Sequence, residues 1–158
     1  MTYMSNTCVN AESLVDYEHI YRDIRDASLA KWGSIAAEES VASSAVKTAR
    51  DINASMIVCL TQTGNTARLI AKYRPQMPIL LITATEDVAR QCQGYLKNCH
   101  CEVAPEWLTN AESLIRFGID RSKKDGWCHD GDLVIAIHGS ANASFIAGST
   151  RLLQVVTV

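Results

Sequence analysis

The sequence predicts an α/β protein of three layers, in which helices cover both faces of a mostly parallel, five-stranded sheet. Short strands that are apolar throughout alternate with helical patterns, and such strands belong to parallel sheets that are buried on both faces. The last strand follows its predecessor after about a dozen residues, too few for a helical crossover, so it is predicted to be antiparallel. A chain of 158 residues suits one compact domain.

Helical periodicity predicts five helices. The first covers residues 1–26 and carries an apolar stripe, and a connector containing Trp32 and Gly33 separates it from the second. The stripe consists of Val9, Leu14, Val15 and Ile20. The later helices are predicted at residues 36–52, 64–73, 86–94 and 110–124.

The strands are identified as short apolar runs between these helices. The first four lie at residues 56–60, 78–82, 99–103 and 132–137, and the last lies at residues 151–157. The first two, MIVCL and PILLI, have the character of fully buried strands.

Composition excludes several classes of partner. A net charge of -2 and a pI near 6.1 argue against nucleic acid or an anionic membrane as the main partner. No apolar run reaches the roughly 20 residues that span a bilayer, and the start of the chain lacks the features of a secretory signal. We therefore expect a cytoplasmic protein with reduced thiols.

The triplet Cys99-His100-Cys101 is a candidate metal site. On a strand, both sulfurs point to one face and His100 points to the other. Structural zinc sites usually pair ligands as CxxC or HxxxH, so this spacing favours free thiols over zinc. No metal site is therefore assigned, although a metal or redox role for the triplet stays open.

The segment TQTGNT, residues 61–66, lies between a strand and a helix, where open α/β sheets bind ligands. Its threonine hydroxyls, its glycine and the first turn of the following helix suit a phosphoryl group. The segment lacks the lysine of a nucleotide-binding P-loop and the GxGxxG of a dinucleotide site. The alternative is an ordinary helix N-terminus, capped by Thr63 or Asn65.

No other residues form a catalytic set. Ser140 and Ser144 lie near His138, but no motif joins them to an acid, and the HDGD segment at residues 129–132 is typical of a turn. The local chemistry favours a binding module over an enzyme.

Several stretches in order resemble the C-terminal, allosteric domain of pyruvate kinases. These are TCVNAES, EESVASSAVKTA, MIVCLTQTGNTARLIAKYRP, PILLITATEDVARQCQGY, GDLVIAIHG and STRLLQV. The resemblance is most specific at the TQTGNT loop and at KYRP. It implies that residues 1–27 correspond to the end of the family's catalytic barrel plus a connector, and that residues 28–158 form the regulatory domain.

The family transfers a phosphoryl group from phosphoenolpyruvate to ADP, giving pyruvate and ATP with Mg²⁺ and K⁺. That chemistry belongs to a (β/α)₈ barrel of about 250 residues, which this chain cannot contain. The resemblance therefore implies no catalytic residue and no cofactor in this chain, which is expected to be inactive alone. Its implied partners are the barrel and, in a tetramer, further copies that contact the helix from Asn110 and the last strand.

The resemblance also implies an effector site for a sugar phosphate. Six residues would hold one phosphate: Thr61, Gln62, Thr63, Gly64, Asn65 and Thr66. A tryptophan and an arginine seven residues later would hold the other, beneath a closing loop. The corresponding residues are Trp107, Gly139, Ser140, Ala141, Asn142, Ala143 and Ser144.

The second half of this implied site departs from the family pattern. Leu114 stands where the arginine is expected, and Arg116 lies about 200° further around the helix. The closing loop, GSANAS, contains no cation. We therefore expect fructose 1,6-bisphosphate to bind weakly or not at all, and a different or a singly phosphorylated effector to replace it. Two other classes stay open, a free-standing anion-binding α/β module and a metal or redox protein.

Overall fold

The computed structural model describes residues 6–7, 10–12, 14–139 and 152–158. Its five strands form one sheet in the order β3-β2-β1-β4-β5. All neighbouring strands pair in parallel except β4 and β5, which are antiparallel. The predicted fold class, including the antiparallel last strand, is confirmed.

The elements lie close to their predicted bounds, apart from the first helix. The helices are α1 (Tyr17–Trp32), α2 (Ala37–Asp51), α3 (Asn65–Lys72), α4 (Glu86–Tyr95) and α5 (Ala111–Lys124). The strands are β1 (Met56–Leu60), β2 (Ile79–Thr83), β3 (Cys99–Val103), β4 (Leu133–His138) and β5 (Leu152–Thr157). Within the described residues, no helix has the length and apolar character needed to cross a bilayer.

The prediction for the first helix was wrong in its bounds and in its buried face. The Asp16 side chain caps a new helix by accepting from the His19 N–H at 3.0 Å, and the helix continues through the predicted connector to a left-handed Gly33. Leu14 precedes this helix and is 86% exposed, whereas Tyr21 is buried. Val9 lies outside the described residues, and the domain boundary proposed at residues 27 and 28 falls within α1.

Two apolar clusters fill the space on either side of the sheet. One lies beneath α2, α3 and α4, and the other lies beneath α5. All five residues of β1 are fully buried and divide between the two clusters by alternation. Gly118 allows α5 to approach β2 closely, since a Cβ there would lie 2.7 Å from a terminal methyl of Ile82.

A polar network joins α1 to the rest of the domain. Glu39 on α2 accepts from the Tyr73 hydroxyl at 2.9 Å and from the Lys72 ammonium at 2.5 Å. Lys72 also donates to Ser28 of α1 at 2.9 Å. These hydrogen bonds, chiefly the one from Lys72, hold the pKa of Glu39 below its ordinary value, while burial raises the pKa of Tyr73 to about 12.

The network predicts a pH-dependent loss of stability in Glu39→Gln. Charge-assisted hydrogen bonds are worth about 1.5–3 kcal/mol, and we expect the variant to lose that much at neutral pH. Because the folded pKa of Glu39 is lowered, the contribution is complete above its ordinary value of 4.5 and is lost as the pH falls through the folded value. Urea unfolding at pH 7 and at about pH 3 should show the difference between the two proteins shrinking.

The matched control is Glu86→Gln, which removes a carboxylate of 77% side-chain exposure from an i,i+4 pair with Arg90. We expect its effect to stay within about 0.5 kcal/mol at either pH. An equal loss in both variants would show that the Glu39 network contributes nothing specific.

Candidate phosphate-binding site

The TQTGNT loop leaves the carboxyl end of β1 at the point where the chain reverses its direction across the sheet. From β1 the chain moves to β2 and β3 on one side, whereas β4 lies on the other side of β1. Cys59 near the end of β1 is paired with Ile137 near the end of β4, so the segments after both strands leave the same edge together. Open α/β sheets place their ligands in the crevice at such a point.

Gly64 gives the loop its shape. Its φ of +77° is a left-handed conformation, and it forms the N-cap of α3 without any side-chain cap. A Cβ at this position would lie 2.5 Å from the Cys92 sulfur, so the loop packs directly on α4. The alternative reading, in which Thr63 or Asn65 caps the helix, was wrong because the capping position belongs to a residue without a side chain.

The six predicted loop residues divide into anchoring and outward-facing positions. Thr61 and Thr66 are buried, and the Thr61 N–H donates to the Ile82 carbonyl at 3.1 Å. Gln62, Thr63 and Asn65 are exposed. The loop is therefore held at both ends and presents its middle to solvent.

Arg68 is a residue of this site that the sequence analysis missed. Its Nη2 donates to Asn65 Oδ1 at 2.9 Å, which holds an exposed guanidinium against the loop. Residues three apart on a helix are neighbours, so the pair Asn65 and Arg68 was a readable signal. The loop has no lysine, but Arg68 places a guanidinium beside it.

The residues predicted to contact a second phosphate do not form a loop like the one at residues 61–66. Trp107 is 76% exposed on the connection from β3 to α5, at the same sheet edge but two strands from β1. Leu114 is fully buried beneath α5, and Arg116 is exposed and paired with Glu112 at 3.0 Å. The side chains of positions 114 and 116 therefore point to opposite sides of the helix.

The predicted closing loop is described only at its first residue. Gly139 is buried directly after β4, next to the loop from β1, and its carbonyl lies 2.5 Å from His138 Nδ1. Ser140, Ala141, Asn142, Ala143 and Ser144 lie outside the described residues.

The structure also places the HDGD segment and the Cys99-His100-Cys101 triplet. The HDGD segment forms a turn, in which Asp132 accepts from the His129 N–H at 2.8 Å. His100 packs against the Trp127 ring with centroids 4.1 Å apart, on the face opposite the two cysteines. No cluster of three metal-ligating side chains occurs within the residues that the structure describes.

A family model described as "Pyruvate kinase, alpha/beta domain" matches residues 39–156. The chain belongs to the pyruvate kinase family. Pyruvate kinase of Eimeria tenella is 38% identical over 158 residues, covering 100% of this chain and 28% of that protein. A cytosolic pyruvate kinase isozyme from Nicotiana tabacum is 33% identical, and the match covers 90% of this chain and 31% of that protein.

Solved pyruvate kinases share the architecture as well. The Cryptosporidium parvum enzyme in complex with ADP matches with a TM-score of 0.86 and 33% identity, over 98% of this chain and 29% of that one. A second structure of the Cryptosporidium parvum enzyme gives a TM-score of 0.83 at 32% identity. The chain thus spans less than a third of the length of these relatives and corresponds to the C-terminal domain.

The geometry of the loop predicts that Gly64→Ala destabilises the domain. An L-residue in the left-handed region costs about 1–2 kcal/mol, and the added Cβ also overlaps the Cys92 sulfur. We expect the free energy of unfolding, measured with denaturant, to fall by at least about 1 kcal/mol. Adding Cys92→Ala to this variant should remove the overlap with the sulfur but leave the cost of the left-handed backbone.

Gly94→Ala is the matched control, since Gly94 lies within α4 and a Cβ there meets nothing within 4 Å. Alanine in a helix is favoured over glycine by about 0.5–1 kcal/mol, so this variant should gain stability. A loss in both variants, or a gain in both, would contradict the role given to Gly64.

Proposed function

We propose that the chain is the regulatory and assembly domain of an enzyme that transfers a phosphoryl group from phosphoenolpyruvate to ADP. Membership of the pyruvate kinase family and the absence of a recognisable catalytic set in the described residues support this division of labour. The catalytic barrel, with Mg²⁺ and K⁺ as its cofactors, is a separate region. Residues 1–27 are proposed to lead from that barrel into the regulatory unit of residues 28–158, with the boundary inside α1, whose Tyr21 packs in the core of the unit.

We further propose that the loop at residues 61–66 binds a phosphoryl group of an effector. The observation that carries this proposal is the position of the loop at the topological switch point, where Gly64 turns the chain into the N-terminus of α3. The first turn of α3 supplies the positive end of a helix dipole, and Arg68 adds a formal charge beside Asn65.

The effector is proposed to carry one recognised phosphoryl group. The side chain at position 114 is a buried leucine, and Arg116 is turned away and already paired. A missing charge-assisted contact lowers affinity by about ten- to a hundredfold. Trp107 and Gly139–Ser144 stay candidates for contacts to the sugar rather than to a second phosphate.

The remaining assignments concern the whole enzyme. We propose a cytoplasmic homotetramer to which this domain contributes contacts through α5 and β5. The exposed apolar side chains of Leu152 and Val155 on the edge strand β5 support that role.

Calorimetric titration tests the effector proposal. We expect a hexose monophosphate to bind the purified chain, and Arg68→Gln to weaken that binding about ten- to a hundredfold. Fructose 1,6-bisphosphate should bind no more tightly than the monophosphate, because neither Leu114 nor the GSANAS sequence supplies a cation for the second phosphate.

Arg116→Gln provides the matched control, since it removes an exposed arginine from another helix and should leave affinity unchanged. Micromolar or tighter binding of fructose 1,6-bisphosphate, with a large preference over the monophosphate, would disprove the single-phosphate proposal.

The division of labour predicts that the purified chain does not form pyruvate. A coupled assay with phosphoenolpyruvate, ADP, Mg²⁺ and K⁺ should give the rate measured without protein. ADP-dependent pyruvate formation that follows the concentration of the chain would contradict the proposal.

A further inference from the structure

Four cysteine thiols gather on one face of the sheet, beneath α4. Cys99 and Cys101 occupy successive same-face positions of β3, and Cys101 is in register with Leu81, which is in register with Cys59. Cys92 of α4 belongs to the same apolar cluster. All five cysteines of the described residues are free thiols.

Within this group, the sulfurs of Cys99 and Cys101 are in direct contact. Their sulfurs are 3.9 Å apart, and a disulfide requires about 2.05 Å. Alternate residues of a strand have Cα atoms about 6.6 Å apart, near the upper end of the range that a disulfide bridges. A small local bend of β3 would therefore allow the two sulfurs to bond.

The position of β3 makes such a bend feasible and gives solvent access to one thiol. Among the described strands, β3 pairs only with β2 and forms an edge of the sheet. Cys101 is half-buried, whereas Cys99 is 6% exposed. By contrast, Cys59 lies in the central strand and is fully buried, and Cys92 is 1% exposed.

The two thiols are also electronically unequal. The Cys99 and Cys101 thiols share a hydrogen bond in which either sulfur can donate, and its first effect is to lower the pKa of the more exposed Cys101. The same hydrogen bond, together with burial, raises the pKa of Cys99. The more exposed sulfur is thus the one that ionises first, as expected for a reactive cysteine with a neighbouring resolving cysteine.

We propose that Cys99 and Cys101 form a dithiol oxidation site for peroxides, in which Cys101 attacks and Cys99 resolves. The site is independent of the phosphate-binding function proposed above. It occupies the β3 edge, whereas the phosphate loop follows β1.

The reaction consumes one hydrogen peroxide and two thiols. The Cys101 thiolate attacks one peroxide oxygen, so that an S–O bond forms and the O–O bond breaks. The leaving hydroxide takes a proton and departs as water, which leaves Cys101 as a sulfenic acid. The Cys99 sulfur then attacks the Cys101 sulfur, an S–S bond forms, and the sulfenic oxygen leaves with the Cys99 proton as a second water.

Peptide mapping of the whole chain tests the proposal. Trypsin cleavage after Lys97 and Arg116 yields a peptide of residues 98–116 that contains Cys99 and Cys101 and no other cysteine. After treatment with hydrogen peroxide and alkylation of the remaining thiols, we expect this peptide to carry an internal disulfide. Its two thiols should be lost at least about tenfold faster than that of Cys128, a buried cysteine whose pKa is raised by burial.

Two variants separate the roles of the thiols. Cys99→Ser should leave Cys101 as a sulfenic acid that dimedone traps, and Cys101→Ser should leave Cys99 unoxidised. Dithiothreitol should restore both thiols of the wild-type chain. Cys128→Ser is the matched control and should not change the oxidation of residues 98–116.

Loss of the Cys99 and Cys101 thiols at the same rate as that of Cys128 would overturn the proposal. A dominant cross-link between residues 98–116 and the Cys92 peptide, residues 91–97, would also overturn it by assigning resolution to Cys92. The wild-type mapping decides between these outcomes even if a variant fails to fold.

Discussion

The complete burial of β1 is the constraint on which the rest of the domain depends. A strand without an exposed residue needs neighbouring strands on both edges, because its backbone N–H and C=O groups have no water to bond. It also needs helices on both faces, because its apolar side chains must be covered. The chain meets this need by placing β2 on one side and β4 on the other. That arrangement creates the crevice at the carboxyl end of β1, so the position of the candidate site follows from the packing of the core.

The same packing links the loop to its supporting helix. Gly64 rests against Cys92 because α4 covers β2 and β3 on the face that also carries α3. The loop is therefore preformed by contacts at its ends, whereas Gln62, Thr63 and Asn65 stay exposed. A loop that is already ordered would lose little conformational freedom if it bound a ligand.

The two faces of the sheet differ in the side chains that they bury. The face beneath α2, α3 and α4 carries the contact between the TQTGNT loop and Cys92, the network around Glu39 and the cysteine cluster. The face beneath α5 is apolar, and there Leu114 contributes to the core instead of to a ligand. A cation at position 114 would have to be buried in that cluster, where an unpaired charge is strongly disfavoured. Leucine at position 114 is thus consistent with the packing of α5.

Sequence by itself determined the fold class, the succession of strands and helices along the chain, the TQTGNT loop and the opposite orientations of positions 114 and 116. Each of these follows from local periodicity or from a short motif. Only the tertiary structure decided which face of α1 is buried. The Asp16 cap at its start is local, but the buried face is set by contacts with Ser43 and Lys72, which are distant in sequence. The tertiary structure alone also showed that Gly64 caps α3 and packs on Cys92, whereas the pair of Asn65 and Arg68 is a local helical contact. Which residues share a crevice or a thiol contact depends on strand order and register, and these are set by long-range packing rather than by neighbours in the chain.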